Sequence, residues 1–238
     1  MTEIPDWLER TELLIGTEKI IRLKQSHVLV MGLGGVGSAA AEMLCRAGIG
    51  KLTLIDSDCV EPSNRNRQLI ALKSTEGQKK TEVLAARLRD INPDMELNLI
   101  AQYLEGKPMV ALLHNKFDYI VDAIDTLSPK AYMLLNGVLL NHRIVSAMGA
   151  GAKLDVSKIQ IADISETHTC TFAFDIRKRL RKLGVSNGFK AVFSIEQPVK
   201  SSVIFNANTK NKKSIVGTIS YMPVVFGCYC AAVVINDL

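Results

Sequence analysis

The feature that most constrains the fold of this chain is a short apolar stretch that runs directly into a glycine cluster, in VLVMGLGGVGSAAAEML (residues 28–44). The apolar stretch predicts a strand, and the residues after the glycines have the periodicity of a helix. Such a turn lets the backbone approach a charged ligand, and the helix offers unpaired N–H groups to a phosphate. We therefore predict a nucleotide-phosphate turn at Gly32, Gly34, Gly35 and Gly37. A turn without a ligand is the alternative, and nicotinamide and flavin enzymes use nearly the same motif.

A cluster of polar residues after the next predicted strand favours one nucleotide chemistry over another. Asp56 and Asp58 form the DSD sequence, where an acid commonly binds a ribose hydroxyl in a dinucleotide as well as in ATP. A hydride-transfer enzyme needs no cations beside the pyrophosphate, whereas an enzyme that attacks ATP needs them to stabilise developing negative charge. The residues predicted to contact the nucleotide here are Asn64, Arg67, Gln68 and Lys80. The sequence therefore favours nucleotidyl transfer over redox chemistry.

These motifs indicate a family resemblance. GLGGVG, DSD, SNRNRQ, the lysine after GQ, and DAIDTLSPK stand in the order and spacing of the adenylating enzymes related to ubiquitin activation. That family includes the activators of the molybdopterin and thiamine sulfur carriers, and the chain resembles it over nearly its whole length. The resemblance implies that ATP binds with its ribose at Asp56 and its magnesium ion at Asp125. It implies that Asn64, Arg67 and Lys80 hold the phosphates.

Two details of the resemblance concern single residues. Where the family pattern usually reads GxPK, this chain has GQKK, so Lys79 replaces a proline and either Lys79 or Lys80 faces the phosphates. Arg10, in ERTELLIG, matches an N-terminal arginine that in relatives reaches the ATP of the neighbouring subunit. The resemblance therefore implies a homodimer with shared active sites. The catalytic roles that it implies fall on Arg10, Arg67, Lys80 and Asp125.

Within this family, five segments are similar to the bacterial dehydratases that act on threonylcarbamoyladenosine in tRNA: DAIDTLSPK, SAMGAGAKLD, RKRLRKLGV, VFSIEQ and GTISYMPVVFG. That resemblance implies adenylation of the threonylcarbamoyl carboxylate, after which the carbamoyl group closes a ring on the activated carbonyl and expels AMP. It implies tRNA as the substrate and sulfurtransferase-system proteins as partners. Two other hypotheses stay open: an activator of a ubiquitin-like sulfur-carrier protein, and a redox or non-catalytic nucleotide-binding protein.

The distribution of charge is more informative than its total. A net charge of +5 is too small to identify a nucleic-acid partner. The segment RKRLRK, however, concentrates cations, and a concentrated basic stretch neutralises phosphates better than the same charge spread evenly. We predict tRNA-binding residues at Arg177, Lys178, Arg179, Arg181 and Lys182. A solvated helix face is the alternative, because charge runs are common on protein surfaces.

The cysteines argue against a disulfide framework and against structural zinc. The chain has five, an odd number, and no CxxC pair, which predicts a reducing compartment. Many sulfur-carrier activators of the family hold zinc through two CxxC pairs, so this chain differs from them. Cys170 lies roughly where relatives carry a loop cysteine that forms a thioester or persulfide. We expect Cys170 to be a loop cysteine without a covalent role.

The terminal segments bear on location. MTEIPDWLER has no basic region followed by an apolar run, so we expect no secretory signal and a cytoplasmic protein. Residues 215–235 carry no charge and are long enough for a membrane span, but they are interrupted by Gly217, Ser220, Pro223 and Gly227. Pro223 is typical of the first turn of a helix. We therefore predict a buried terminal helix and no stable membrane insertion, with peripheral membrane association as the alternative.

Helices alternate with strands in the manner of an open, mostly parallel sheet, which predicts a Rossmann-like α/β fold. A helical segment at 7–24 precedes strands at 27–31, 52–55, 97–101, 119–122 and 144–148, with helices at 37–47, 79–91, 109–114 and 128–141. Alternation in KIQIADI and KAVFSIE predicts antiparallel strands added to the sheet edge, with the basic helix between them. We predict one domain, 1–238, with a nucleotide-binding part at 27–150, a substrate-side extension at 151–238 and a flexible polar insert at 206–214.

This layout predicts a single pocket. Ligands in open α/β sheets bind beyond the carboxyl ends of the strands, and Gly32, Asp56 and Asp125 all follow predicted strand ends. Asp125 would bring a carboxylate oxygen to a magnesium ion. Asp122, at the strand end itself, is the alternative magnesium ligand. It could instead have a structural role, in which its carboxylate accepts hydrogen bonds from backbone amides of the loop.

Overall fold

Seven strands form one sheet in the computed structural model, which describes residues 4–205 and 214–238. The strand order is β3-β2-β1-β4-β5-β7-β6, and a separate two-stranded hairpin pairs β8 with β9. The strands are β1 (His27–Met31), β2 (Lys51–Ile55), β3 (Glu96–Ile100), β4 (Tyr119–Asp122), β5 (Ile144–Ala147), β6 (Ile159–Asp163), β7 (Lys190–Ser194), β8 (Val203–Phe205) and β9 (Ser214–Val216).

Helices cover both faces of the sheet. They are α1 (Glu9–Ile15), α2 (Thr17–Gln25), α3 (Gly35–Arg46), α4 (Lys80–Ile91), α5 (Gly106–Leu113), α6 (Leu127–Leu139), α7 (Thr171–Lys182) and α8 (Tyr221–Asp237). Because side chains alternate along a strand, Val28 and Val30 of β1 belong to one core and Leu29 and Met31 to the other. The first core is closed by α3, α4 and α8, and the second by α5, α6 and α7.

The predicted fold class is confirmed. Every neighbouring strand pair of the large sheet is parallel except β6 with β7. β7 continues the parallel arrangement beside β5, and β6 forms the antiparallel edge. The carboxyl ends of six strands therefore meet at one edge, where the candidate site lies.

The N-terminal helical segment is interrupted by one residue. Gly16 has φ +81, a left-handed conformation that glycine adopts without steric cost, and it separates α1 from α2. The predicted helical segment at 7–24 therefore contains two α-helices. Most of the predicted polar insert, 206–213, lies outside the described residues.

The C-terminal helix α8 packs directly on α3, the helix that follows the glycine turn. A Cβ atom at Gly227 would lie 2.5 Å from the Val36 carbonyl oxygen and 2.7 Å from the Ala39 Cβ, so only glycine permits this approach. Phe226 and Cys230 of α8 are buried in the core, and Pro223 stands in its first turn, as predicted. No helix within the described ranges is long and apolar enough to cross a membrane.

Candidate active site

The glycine turn between β1 and α3 is held in place by backbone contacts that exclude side chains. Gly32 has φ +85, and its N–H donates to the Ile55 carbonyl oxygen at 2.8 Å. A Cβ at Gly32 would lie 2.8 Å from the Ala123 carbonyl oxygen, and one at Gly37 would lie 1.7 Å from the Gly32 carbonyl oxygen. The turn therefore lies between the ends of β2 and β4, and it leads into the N-terminus of α3, an arrangement suited to phosphate.

The Arg67–Gln68 segment lies against this turn. A Cβ at Gly35 would meet the Arg67 carbonyl oxygen at 2.8 Å, and a Cβ at Gly34 would lie 3.8 Å from Gln68 Nε2. Gln68 is buried, and within the described ranges its Oε1 has no hydrogen-bond partner. Buried polar atoms are nearly always paired, so an unsatisfied one beside the glycine turn fits a site that receives a polar ligand.

Two acids and one lysine form the second wall of the site. Asp56 Oδ2 accepts from the Leu33 N–H at 2.6 Å, and its Oδ1 accepts from the Asp58 N–H at 2.8 Å. The Lys80 ammonium lies 2.8 Å from Asp58 Oδ2 and 3.9 Å from Asp56 Oδ1. Burial raises the pKa of Asp56 above its usual value, and the nearby charge of Lys80 opposes this shift. Lys80 is buried among these acids while Lys79 is exposed, which favours Lys80 as the lysine that faces a bound nucleotide.

Arg67 and Asn64 are fixed by contacts within their own segment. The Arg67 guanidinium donates to the Ser63 carbonyl oxygen at 2.9 Å and to Asn66 Oδ1 at 2.8 Å. Asn64 is buried, and its Oδ1 accepts from the Glu61 N–H at 3.2 Å. Asn64 thus closes its own turn. The Arg67 carbonyl oxygen lies against Gly35, and the Arg67 guanidinium is held by acceptors of its own segment.

The two acids at the end of β4 and in the loop after it, Asp122 and Asp125, have different surroundings. Asp122 is fully buried and forms an ion pair with Lys130 at 2.6 Å. It also accepts from Ser146 Oγ at 2.6 Å and from the Ile124 N–H at 3.1 Å, so its contacts match the structural interpretation. Asp125 is exposed on the same loop. Since the Gly32 turn touches Ala123, this loop lies beside the glycines.

In the part of the chain that the structure describes, side chains alone do not form a metal site in this pocket, so a metal ion would also need oxygen atoms from a bound nucleotide. Within the described residues, no group of three or more His, Cys, Asp or Glu side chains is arranged to hold a metal ion. Magnesium is usually bound through one or two carboxylates together with substrate phosphates and water. The carboxylate of Asp125 is exposed on the loop that touches the Gly32 turn, and this placement fits that mode of binding. The Asp122 carboxylate is paired with Lys130.

Comparison with known proteins identifies the family. The ThiF family model matches residues 8–238. The chain belongs to the ThiF family. It is 38% identical over 236 residues to the tRNA threonylcarbamoyladenosine dehydratase of Bacillus subtilis, covering 96% of this chain and 93% of that protein. It is 34% identical to the Haemophilus influenzae protein of the same name, and the match covers 93% of this chain and 88% of that protein.

A solved structure extends this comparison to the whole fold. The Escherichia coli tRNA N6-threonylcarbamoyladenosine dehydratase TcdA, in complex with ATP, matches with a TM-score of 0.89 and 31% sequence identity. The match covers 99% of this chain and 96% of that chain. The family resemblance predicted from GLGGVG, DSD and DAIDTLSPK is therefore confirmed.

The basic residues of this ThiF-family chain do not form one uniform patch. Arg177 is half-buried and donates a hydrogen bond to Thr167 Oγ1. Arg179 donates to Ser128 Oγ at 2.7 Å, at the start of α6 and three residues after Asp125. Within the described ranges, the exposed cations of α7 that make neither a side-chain hydrogen bond nor an ion pair are Lys178, Arg181 and Lys182. Two of the predicted tRNA-binding residues, Arg177 and Arg179, thus make contacts with a neighbouring loop and with the first turn of α6.

Two residues predicted from the family lie apart from the pocket contacts. Arg10 is exposed on α1, a helix none of whose residues is buried. Cys170 is the residue before α7 and is only 3% exposed. Neither has a hydrogen bond or ion pair to the glycine turn within the described ranges, so their roles stay predictions.

Sequence reasoning missed three residues that position the site. Lys130 and Ser146 hold Asp122, and Lys130 also donates to the Ile124 carbonyl oxygen at 3.1 Å. Asn66 donates to the Thr218 carbonyl oxygen at 2.9 Å, which ties the Arg67 segment to the chain that enters α8. Lys130 had a signal, since it ends DAIDTLSPK, but a lysine on a helix pattern is ordinarily solvated.

Proposed function

We propose that this chain is an ATP-dependent tRNA threonylcarbamoyladenosine dehydratase. A carboxylate oxygen of the threonylcarbamoyl group attacks the α-phosphorus of ATP, a P–O bond forms, and pyrophosphate leaves. The carbamoyl group then attacks the activated carbonyl, a ring closes and AMP leaves. The observation that carries this proposal is the 38% identity to the named Bacillus subtilis dehydratase across 96% of the chain. The phosphate-type pocket supports it.

We propose the following roles for the pocket residues. Backbone N–H groups of the glycine turn and the α3 N-terminus hold phosphate oxygens, and Asp56 holds the ribose. Arg67 and Lys80 stabilise the negative charge that develops on the phosphates. Asp58, whose side chain is 65% exposed, is free to move from Lys80 when a phosphate takes its place. Magnesium at Asp125, when bound, neutralises phosphate charge.

The sulfur-carrier activator is the second candidate, because it makes the same kind of adenylate on a protein C-terminus. The exposed cations of α7 favour tRNA over such a protein, since they suit a polyanion. We propose that residues 151–238, which include α7, form the substrate side of a single domain. We also propose a cytoplasmic location, where tRNA is modified. Sulfurtransferase-system partners and peripheral membrane association stay predictions.

The test of this function is a product measurement. The full chain is incubated with ATP, magnesium and tRNA that carries threonylcarbamoyladenosine. The tRNA is then digested, and the masses of its nucleosides are measured by mass spectrometry. We expect loss of one water from the modified nucleoside, with one AMP released for each cyclised product. A parallel reaction replaces tRNA with a carrier protein that ends in Gly-Gly. AMP formation with the carrier protein and none with the tRNA would reverse the order of the two candidates.

The Cys170→Ser variant distinguishes direct ring closure from acyl transfer to the cysteine in the same assay. The buried thiol is not needed when the ring closes directly on the adenylate, so we expect the variant to keep its activity on tRNA. An enzyme that transfers its acyl group to Cys170 would instead form the adenylate and stall, because serine without a base is a poor nucleophile. AMP release without the cyclic nucleoside in this variant would refute the direct mechanism.

We propose that the active enzyme is a homodimer in which Arg10 reaches the partner's ATP. Leu13 and Leu14 of the same helix are 81% and 84% exposed, and neighbouring apolar side chains at the surface suit a protein contact. α1 thus presents a cation and two leucines together on the surface.

Mixing inactive subunits tests this arrangement. Arg10→Ala and Arg67→Ala subunits, each inactive alone, are combined under conditions in which labelled subunits are seen to exchange. A hybrid dimer then contains one intact site, so we expect activity to return. Exchange without any recovery would mean that each site is built from one chain.

A further inference from the structure

The exposed face of α7 carries an aromatic side chain among its cations. Phe174 is 55% exposed, although the helix has a buried face available to apolar residues. Lys178 and Arg181 follow it by four and seven residues, a spacing that places all three on one helix face. The residues that face the core are Ala173, Ile176 and Leu180.

A single exposed apolar residue is common and needs no explanation. The surroundings of Phe174 are what distinguish it, because α7 has five cations and one acid, Asp175. Arg177 and Arg179 are engaged by Thr167 and Ser128, whereas Lys178 and Arg181 are exposed charges on the Phe174 face, with Lys182 at its edge. An aromatic ring beside exposed cations suits a ligand with both a flat apolar face and a negative charge.

The start of α7 lies close to the candidate pocket. A Cβ at Gly149, just after β5, would lie 3.4 Å from the Phe172 Cβ. The Lys130 ammonium, beneath the Asp125 loop, lies 5.9 Å from the Phe172 ring centroid. The first turn of α7 is therefore at the same edge of the sheet as the pocket, and Phe174, two residues after Phe172, lies on the outward side of that turn.

We propose that Phe174 is a stacking platform for an unpaired base of the tRNA substrate, with Lys178 and Arg181 on the adjoining phosphates. An enzyme that acts on a base needs that nucleotide outside a duplex, and unpaired RNA bases are commonly stacked on aromatic side chains. The cations supply affinity for any phosphate backbone, whereas the ring orients an unpaired base of the same tRNA. This inference rests on the proposed dehydratase function.

Binding measurements separate stacking from charge. The probe is tRNA that carries threonylcarbamoyladenosine, and its dissociation constant is measured at several salt concentrations. We expect Phe174→Ala to weaken binding about tenfold, within the range for loss of one base–aromatic stack, and to leave the salt dependence unchanged. Lys178→Gln and Arg181→Gln are expected to lower the slope of log affinity against log salt by about one each.

Two control variants make the result specific. Phe174→Tyr keeps an aromatic face and is expected to bind as the unchanged protein does. Leu139→Ala removes another exposed apolar side chain, 64% exposed at the far end of α6, and is expected to have no effect on tRNA binding. Normal binding by Phe174→Ala, with tRNA bound by the unchanged protein, would overturn this inference alone. Failure of the unchanged protein to bind tRNA would overturn the proposed function with it.

Discussion

Arg67→Ala and Asp125→Ala are each expected to lower the rate of AMP formation roughly a hundredfold or more, the usual loss when a preorganised electrostatic group is removed. Arg67→Ala removes the guanidinium of the segment that lies against the glycine turn, and Asp125→Ala removes the carboxylate that we propose for magnesium. Neither side chain is in a hydrophobic core, so both variants are expected to fold. The measurement is AMP released from ATP in the presence of modified tRNA, with circular dichroism as the check on folding.

Controls on neighbouring residues sharpen this prediction. Arg65→Ala removes an exposed arginine two residues away that pairs with Glu76 at 3.4 Å, and Lys79→Ala removes the exposed neighbour of Lys80. Both are expected to keep most of the activity. Raising the magnesium concentration should restore part of the activity of Asp125→Ala and none of that of Arg67→Ala. Near-normal turnover in both Arg67→Ala and Asp125→Ala would contradict the assignment of the site.

Lys130→Met is expected to lower the free energy of unfolding by about 3–5 kcal/mol, because it leaves the buried Asp122 carboxylate without its cation. Both partners of this pair are fully buried. For a domain of this size each kcal/mol shifts Tm by about 2–4 °C, so a fall of roughly 10 °C should appear in a thermal melt. Lys130 also holds the Ile124 carbonyl oxygen, so the Asp125 loop should loosen and more magnesium should be needed for half-maximal activity.

Two comparisons test the physical reason for this loss. The double variant Asp122→Leu with Lys130→Met removes both charges, and it is expected to recover much of the lost stability. Lys51→Met removes an ion pair between the partly exposed Lys51 and the exposed Glu96, and it should cost no more than about 1 kcal/mol. A Lys130→Met protein as stable as Lys51→Met would show that the buried pair does not hold the loop.

Burial distinguishes residues that stand close together in one motif. Asp122 and Asp125 stand three residues apart in one motif, and only the packing of Lys130 and Ser146 around Asp122 assigns it a structural contact set. Lys79 and Lys80 are adjacent, and the start of α4 turns one outward and the other toward Asp58. These contacts join different elements of the fold, Asp122 of β4 with Lys130 of α6 and Ser146 of β5, so the folded structure is needed to see them.

The features that could be predicted from the sequence are either local in the chain or part of a family motif. The strand, glycine turn and helix at 28–44 follow from periodicity and from glycines that adopt left-handed or closely packed conformations. The motifs predicted the ThiF family, the mostly parallel sheet and the buried helix that begins near Pro223. Tertiary contacts determine which cations of α7 stay exposed around Phe174. Helical periodicity predicts a face, but neighbouring elements, here Thr167 in a loop and Ser128 in the first turn of α6, determine which of its charges remain available to a ligand.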